Sequence, residues 1–414
     1  MSSKDSSTSI RNYCYVTSCI FGIGILASSS IIDMAELIQQ ASADQKPVYA
    51  IGGGTQQHQL AEISIPGITI HTTQADLMID YPYRDMTITV EAGMTIESLQ
   101  RILASKGQTL PMDVPSPEVA TIGGSMAANI CGPRRLGHGT WRDYVLGIEW
   151  LNDQGQLTKA GGKVVKNVAG YDLCKLFCGS FGTLGVITQL TLKVKPIPEK
   201  QIMASWEIKE MDCLAERLRC LPLRPIAVFV NHGLDAENRD PQINVILEDN
   251  QKAISWSIDQ LCKAFLDHKE IKVTEMNGYV QIINTHLKLD SDSHFIHVRA
   301  KFPVSKSDLV FRQIQNSLRN SESWIFQPLL GTLEIIYSIH EQQRACLVVQ
   351  ELRQVISKYQ GYVQIPKLPP AWRKSLLPWG PSRPDWNLMR QVKKALDPKN
   401  IFQRYRCEIL DESP

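Results

Sequence analysis

The alternation of hydrophobic and polar residues predicts short strands and amphipathic helices along the first half of the chain. Apolar residues recur at helical spacing over residues 32–43 and 95–106, which predicts two helices that each bury one face. Short apolar and β-branched runs predict strands at 48–51, 68–71, 77–80, 87–90, 145–151, 157–159 and 189–195.

The second half alternates strand-like and helix-like segments. Strands are predicted at 226–230, 243–247, 295–302 and 331–339, and helices at 211–219, 254–267 and 307–318. Pro196 and Pro198 mark a linker before this half. We therefore expect a weakly ordered extension over 1–30, a first domain over 31–198, an α+β second domain over 199–370 and a closing segment over 371–414.

Composition argues against several classes of protein. The 44 basic and 42 acidic residues give a net charge of +2, so no broad positive field favours nucleic acid. The 10 cysteines show no regular framework and no Cys-x-x-Cys pair, which favours reduced thiols and argues against an iron–sulfur cluster in this chain. The apolar stretch 15–27 is shorter than the roughly 20 residues that a membrane span needs, and it resembles a signal peptide only loosely.

Two glycine-rich turns are candidates for binding phosphate. Gly52-Gly53-Gly54-Thr55 follows the predicted strand 48–51, and a turn of this kind can present its amides to an anion. The small residues 121–129 begin a predicted helix, whose N-terminus suits a diphosphate. Each also has a purely structural reading, as a tight turn or as close packing of small residues.

The stretch 163–187 reads KVVKNVAGYDLCKLFCGSFGTLGVI and joins a short helix to a strand. Asp172 suits the N-cap of a helix over 173–177, and Gly179 suits its C-terminal end. Gly182 and Gly185 then precede a β-branched run and allow main chain to approach a flat or anionic ligand. A tight helix-to-strand connection with no ligand explains these glycines about equally well.

Four motifs follow one another in a specific order: TIGG at 121–124, GPRR at 132–135, RDYVLG at 142–147 and GGKVVKNVAGYDL at 161–173. This order resembles the FAD-linked oxidases of the vanillyl-alcohol oxidase superfamily, and within it the E subunits of glycolate oxidase (glycolate dehydrogenase). The resemblance implies an α+β fold, with a PCMH-type two-part FAD-binding domain and an α+β cap. It also implies that the segment 371–414 returns to the FAD-binding domain.

The resemblance implies that FAD is the cofactor and that no metal is bound. Some relatives attach the flavin through a histidine in the first glycine loop. Here Gln56 and Gln57 follow that loop and His58 falls late, so we expect non-covalent FAD. The residues expected to bind it are Gly52, Gly53, Gly54, Thr55, Gln56, Pro115, Thr121, Gly123, Gly124, Ser125, Asn129, Arg134, Arg142, Asp143, Gly182, Gly185, Val186 and Ile187.

The implied function is that of an FAD-binding subunit of a glycolate dehydrogenase complex. Such a subunit would oxidise glycolate or a related 2-hydroxy acid together with a second flavoprotein subunit and an iron–sulfur subunit. It would bind no nucleic acid, and it would lie in the cytoplasm, with membrane association through the complex left open. A self-sufficient 2-hydroxy-acid oxidoreductase and a non-catalytic scaffold are the alternatives.

The catalytic base is not identified by the sequence. A GHxGDGNxH-type metal and base motif, which many relatives carry, is absent, and this indicates that a partner subunit performs the oxidation. His297, Arg299 and Lys301 share one face of a predicted strand. They suit a carboxylate site, but we expect a solvated basic face instead.

Overall fold

The computed structural model describes residues 25–26, 31–162, 172–208, 211–233, 240–265, 271–275, 295–319, 321–403 and 407–410. The segment 163–171 and most of the extension 1–30 therefore lie outside the described residues.

The described strands and helices follow the predicted boundaries closely. The strands are β1 (Ile25–Leu26), β2 (Val48–Ile51), β3 (Ile68–His71), β4 (Met78–Asp80), β5 (Thr87–Glu91), β6 (Gln108–Thr109), β7 (Val145–Leu151), β8 (Leu157–Gly161), β9 (Val186–Lys193), β10 (Lys195–Pro196), β11 (Lys200–Glu207), β12 (Ala227–His232), β13 (Gln242–Asp249), β14 (Lys272–Thr274), β15 (Phe295–Lys301), β16 (Ser323–Gln327), β17 (Thr332–Ser338) and β18 (Tyr362–Lys367). The α-helices are α1 (Ile31–Ala43), α2 (Ile96–Ala104), α3 (Ile122–Ala127), α4 (Arg135–His138), α5 (Trp141–Tyr144), α6 (Leu173–Phe177), α7 (Leu214–Cys220), α8 (Gln251–Ala264), α9 (Ser307–Leu318), α10 (Gln342–Lys358), α11 (Arg373–Leu376) and α12 (Asp385–Leu396).

The first part of the chain is built mainly on two sheets, and β6 and β10 form a further two-stranded antiparallel pair. A parallel sheet has the order β1-β3-β2, and an antiparallel sheet has the order β4-β5-β9-β7-β8. Helix α2 buries the apolar face that its spacing predicts, with Ile96, Leu99 and Leu103 almost inaccessible. Thr95 caps this helix by accepting a hydrogen bond from the amide of Ser98 at 3.2 Å.

A large antiparallel sheet forms the second part, with the order β14-β11-β13-β12-β16-β17-β15-β18. In every strand of this sheet except β14, alternate residues pack against α7, α8, α9 and α10 on one face of the sheet. On β15 these are Ile296, Val298 and Ala300, so His297, Arg299 and Lys301 lie on the opposite face. The predicted alternation along β15 is therefore confirmed. The opposite face of the sheet contacts α4, where the amide of Gly137 donates to the carbonyl of Ile226 at 3.0 Å. It carries both these polar residues and a buried apolar cluster that includes Phe229 and Ile325.

Helix α10 is absent from the sequence-based expectations, although its signal is present. Ala345, Val349, Leu352 and Ile356 recur at helical spacing, and all four are buried. Strands β11, β16 and β18 were likewise not predicted. Among the described helices, none is both long enough and apolar enough to cross a bilayer.

The closing segment contacts the first part of the chain. After α12, Phe402 forms a parallel bridge with Val48, and the amide of Gln403 donates to the carbonyl of Val48 at 2.9 Å. These contacts agree with the return of this segment that the family resemblance implies. The domain boundaries themselves stay predictions.

A buried ion pair fixes this return. The Lys393 ammonium donates to the carboxylate of Asp397, to the carbonyl of Thr183 at 2.8 Å and to the carbonyl of Phe402 at 2.9 Å. Asp397 also accepts from the amides of Ile401 and Phe402, at 3.1 and 2.9 Å. Burial lowers the pKa of Lys393, and the charge of Asp397 opposes this shift.

Replacing Lys393 with methionine should destabilise the protein by about 3–5 kcal/mol, because Asp397 then stays buried without its cation. Lys394 lies next to it on α12 but is exposed. Lys394→Met should change the free energy of unfolding by no more than about 0.5 kcal/mol. Urea unfolding of the two variants measures the difference, and equal stabilities would show that the pair does not hold the closing segment.

Candidate functional site

A groove in the first part of the chain brings most of the predicted residues together. It lies between the turn after β2, the start of α3 and the loop before β9. We call it the glycine cradle. The predicted residues that line it are Gly52, Gly53, Gly54, Thr55, Gln56, Thr121, Gly123, Gly124, Gly182, Gly185, Val186 and Ile187. Gln403, which was not predicted, also lines it and donates its side-chain amide to the carbonyl of Ala50 at 3.0 Å.

The turn after β2 presents main-chain amides to this groove. The amides of Gly53, Gly54 and Thr55 donate no hydrogen bond within the part of the chain that the structure describes. Gly54 has a φ of 71°, and a Cβ added there would meet no atom within 4 Å. Successive free amides in such a turn form a concave anion site, so these residues fit one end of a diphosphate.

The amides at the start of α3 are already occupied. Gly123 donates to the carbonyl of Ala92 at 2.8 Å, Gly124 to the Thr121 hydroxyl at 3.2 Å and Ser125 to the carbonyl of Thr121 at 2.9 Å. These three amides therefore have partners within the chain, and their binding of a diphosphate stays a prediction. Ser125 is buried and does not line the groove.

Close packing explains the glycines on this side of the groove. A Cβ on Gly52 would lie 2.1 Å from the Thr121 hydroxyl oxygen, and one on Gly123 would lie 2.7 Å from the Cβ of Ala92. These glycines let the turn after β2 and strand β5 approach α3. They therefore shape the groove.

Three predicted charged residues lie outside the groove. Arg134 forms an ion pair with Asp113 at 2.6 Å, and its guanidinium lies 3.8 Å from Glu248. Arg142 is exposed, and Asp143 accepts from the amide of Thr140 at 2.8 Å in a capping box of α5. Contrary to expectation, none of the three lines either cavity, because each has a structural position elsewhere.

A second cavity of about 280 Å³ adjoins the cradle. Thr55 and Gln56 line both spaces. The predicted residues Pro115 and Asn129 line this second cavity rather than the cradle. On its far side lies the face of the large sheet opposite α7, α8, α9 and α10. Its charged and titratable lining residues are His58, Cys131, Arg135, His297, Arg299, Lys301 and Glu334.

Glu334 organises the sheet side of this cavity. Its carboxylate lies 2.6 Å from the Nε2 atom of His297, and the Nε atom of Arg299 donates to it at 3.1 Å. Arg299 and Glu334 are direct cross-strand partners on β15 and β17. The side chain of His297 is only 4% exposed and that of Arg299 only 22%, so the expected solvated basic face is wrong.

Burial shifts the ionisation of the neighbouring groups. Burial, helped by Arg299 and Arg135, lowers the pKa of Lys301 to about 8. Burial also lowers the pKa of His58 to about 4, with smaller contributions from His297, Lys367 and Arg299. His58 is therefore neutral near pH 7, while Lys301 keeps its charge in most molecules.

Arg135, and not its neighbour Arg134, faces the second cavity. Its guanidinium donates to the Thr332 hydroxyl at 2.7 Å, and burial lowers its pKa. Its Nε atom and the side-chain oxygen of Gln327 are buried with no hydrogen-bond partner among the described residues. Sequence reasoning missed Gln327 and Glu334, because both reach the cavity through strand pairings that no local pattern reveals.

Comparison with known proteins identifies the groove. Residues 24–161, about a third of the chain, match the family model of an FAD binding domain. This part of the chain is therefore similar to FAD-binding domains. The glycine cradle lies largely within the matched residues, and its free amides suit the diphosphate of FAD. FAD as the cofactor is therefore confirmed, while its non-covalent attachment stays a prediction.

Relatives of this FAD-binding domain occur in oxidoreductases. The chain is 34% identical to glycolate oxidase subunit GlcE of Escherichia coli over 48% of this chain and 57% of that protein. It is 33% identical to glycolate oxidase subunit GlcD of Bacillus subtilis over 44% of this chain and 39% of that protein. A D-lactate dehydrogenase of Anaerostipes hadrus is 26% identical over 62% of this chain and 50% of that protein. The chain thus spans about half the length of the curated relatives it matches.

A solved structure extends the likeness to nearly the whole fold. Alkyldihydroxyacetonephosphate synthase superposes with a TM-score of 0.66 over 92% of this chain and 77% of that chain, at 15% identity. At this identity the likeness shows the fold alone. It confirms the predicted α+β fold.

Gly54→Ala should weaken FAD binding by about tenfold or more, because a methyl group would enter the space beside the free amides. Gly107 is a matched control, with a φ of 66° and no atom within 4 Å of an added Cβ, and it lies outside the cradle. Both variants should lose about 1–2 kcal/mol of stability from left-handed strain. Equal FAD affinity in the two variants, measured by flavin fluorescence, would refute the anion site.

Acid precipitation should release all of the flavin into the supernatant. His58 lies in the 3₁₀ helix Gln57–Gln59 and lines the second cavity, so it does not reach the cradle. Yellow colour in a washed trichloroacetic acid pellet would show a covalent bond. Its loss in His58→Ala would then identify the attachment point.

Proposed function

We propose that this chain is the FAD-binding subunit of a complex that oxidises glycolate or a related 2-hydroxy acid to the 2-oxo acid. The observation that carries the proposal is the basic cavity that meets the FAD cradle at Thr55 and Gln56. A carboxylate substrate held there lies beside the cofactor. When bound, FAD supplies an acceptor for two electrons.

The residues of the second cavity have complementary roles in this proposal. Arg135 and Lys301 attract the substrate carboxylate, since both are cationic and buried enough to interact strongly. Glu334 holds His297 in a fixed orientation at 2.6 Å. A histidine oriented by a carboxylate is a suitable acceptor for the proton of the substrate hydroxyl.

The position of His297 argues against the expectation that a partner subunit performs the oxidation. The sequence offered no base, because the family's metal and base motif is missing. The His297–Glu334 pair places a candidate base in the cavity next to the FAD-binding domain. We therefore assign the oxidation to this chain and the removal of electrons to its partners.

The partners are proposed from the relatives and from the cysteines. Two of the relatives are named as subunits of glycolate oxidase. The chain contains no Cys-x-x-Cys pair, and the described residues hold no group of metal-binding side chains. A second flavoprotein and an iron–sulfur protein would then carry the electrons onward. The cytoplasmic location, and any membrane attachment through the complex, stay predictions.

A self-sufficient 2-hydroxy-acid oxidoreductase is the second candidate, and the His297–Glu334 pair favours it. The two candidates differ in where the electrons go after the substrate is oxidised. A self-sufficient enzyme turns over with oxygen alone, whereas a subunit whose FAD is reduced turns over only with its partners or an artificial dye. A non-catalytic scaffold would show no flavin absorbance near about 450 nm.

Anaerobic mixing of the purified holoprotein with glycolate or D-lactate tests the proposal. The absorbance near about 450 nm should bleach once, and steady turnover should require added partner subunits or an artificial dye. His297→Gln should slow the bleaching by about 100-fold or more, the usual contribution of a general base, without loss of FAD.

Two results would contradict this assignment. His340 is exposed and lines neither cavity, so His340→Gln should bleach at the wild-type rate. An equal effect of the two histidine substitutions would remove His297 from the mechanism. A yellow protein that no 2-hydroxy acid bleaches would return the oxidation to a partner subunit.

A further inference from the structure

The second cavity carries more positive charge than its own residues neutralise. Arg135, Arg299 and Lys301 line it, and Glu334 is the carboxylate among its described lining residues. Glu334 is already paired with Arg299 and His297. Neither Arg135 nor Lys301 forms an ion pair within the part of the chain that the structure describes. Together Arg135, Arg299, Lys301 and Glu334 carry a charge of +2.

The two uncompensated cations converge on one place. Lys301 and Thr332 are direct cross-strand partners, and the Thr332 hydroxyl accepts a hydrogen bond from Arg135 at 2.7 Å. Gln327 is the partner of Thr332 on its other side. Lys301, Thr332 and Gln327 therefore form a row across three strands, with the guanidinium of Arg135 above it.

This row also contains unused hydrogen-bonding capacity. The Arg135 Nε atom and the Gln327 side-chain oxygen are buried and lack partners among the described residues, and Gln327 is only 4% exposed. Buried polar atoms are normally satisfied, so two orphans at one place point to a bound ligand. An anion would accept a hydrogen bond from Arg135 and pair with the charge of Lys301. A hydroxyl or a protonated group would donate a hydrogen bond to the oxygen of Gln327.

A monocarboxylate cannot neutralise both Arg135 and Lys301. Glycolate has one negative charge, so one of the two cations would stay buried without a counter-charge, which is costly in a protein interior. We propose that the second cavity selects small 2-hydroxy acids that carry a second anionic group, a carboxylate or a phosphate, over monocarboxylates. This deepens the proposed function and rests on it for the oxidation of the hydroxyl group.

The surroundings of Lys301 make the binding of a dianion dependent on pH. The groups around Lys301 are Arg299, Arg135, Glu334 and Cys131, and Tyr362 is its cross-strand partner on β18. Burial and the two arginines favour the neutral amine, which brings its pKa to about 8. A bound dianion favours the ammonium. Its affinity should therefore fall as the pH rises through about 8, where Lys301 loses its proton in the free protein.

Calorimetric titration of the holoprotein with acetate, malonate and phosphonoacetate tests the selection without any oxidation. None of these ligands has a hydroxyl group, so turnover does not interfere. Malonate or phosphonoacetate should bind about tenfold or more tightly than acetate, because only a dianion neutralises both cations. Tighter binding of malonate would identify the second anionic group as a carboxylate, and tighter binding of phosphonoacetate would identify it as a phosphate.

Lys301→Met should remove this preference. Dianion affinity should fall by about tenfold or more, while acetate affinity falls by less than about threefold. The pH dependence near about 8 should vanish in the same variant. Lys306 is exposed just beyond β15, and Lys306→Met should keep both the preference and the pH dependence. Equal binding of acetate and malonate, or an equal loss for both in Lys301→Met, would overturn the inference.

The outcome is separable from that of the proposed function. Selective binding of a dianion by a holoprotein whose FAD no 2-hydroxy acid bleaches would refute the oxidation but keep the dianion site. Bleaching by glycolate as fast as by tartronate, a 2-hydroxy dicarboxylate, together with unselective binding, would keep the oxidation and refute the dianion site.

Discussion

The buried ammonium of Lys393 is the interaction on which the position of the FAD-binding groove depends. An ammonium has three protons to donate, and burial requires an acceptor for each. Here the acceptors are Asp397, which directly follows α12, the carbonyl of Thr183 and the carbonyl of Phe402. The charge of Lys393 thus links α12, the glycine loop before β9 and Phe402, which pairs with β2. Two walls of the cradle are set by the same contact.

The two adjoining cavities bind charge in different ways. The cradle presents main-chain amides, whose dipoles do not titrate and whose positions are set by the turn after β2. The second cavity presents full charges in a partly buried setting, where each cation responds to its neighbours and to pH. Thr55 and Gln56 belong to both spaces. A ligand in one cavity therefore meets the wall of the other.

Sequence reasoning succeeded where the determinant is local. The glycine turn after 48–51, the helix cap at Asp172 and the alternation along β15 each depend on residues within a few positions, and the structure contains all three. It failed where the determinant is a distant partner. Arg134 and Arg135 are adjacent, and only their contacts with Asp113 and with Thr332 decide which one faces the cavity. The burial of His297 likewise depends on Glu334, which arrives through the pairing of β15 with β17.

The joining of β2 to the closing segment has a consequence for synthesis on the ribosome. The side chain of Gln403 bonds the carbonyl of Ala50, and the two residues are 353 positions apart. At about 5–20 residues per second, the ribosome needs about 18–70 s to make the chain between them. During that interval the glycine turn exists without one of its walls and without Lys393. The complete groove therefore forms only after residue 403 has been made, which places full cofactor capture late in the life of the nascent chain.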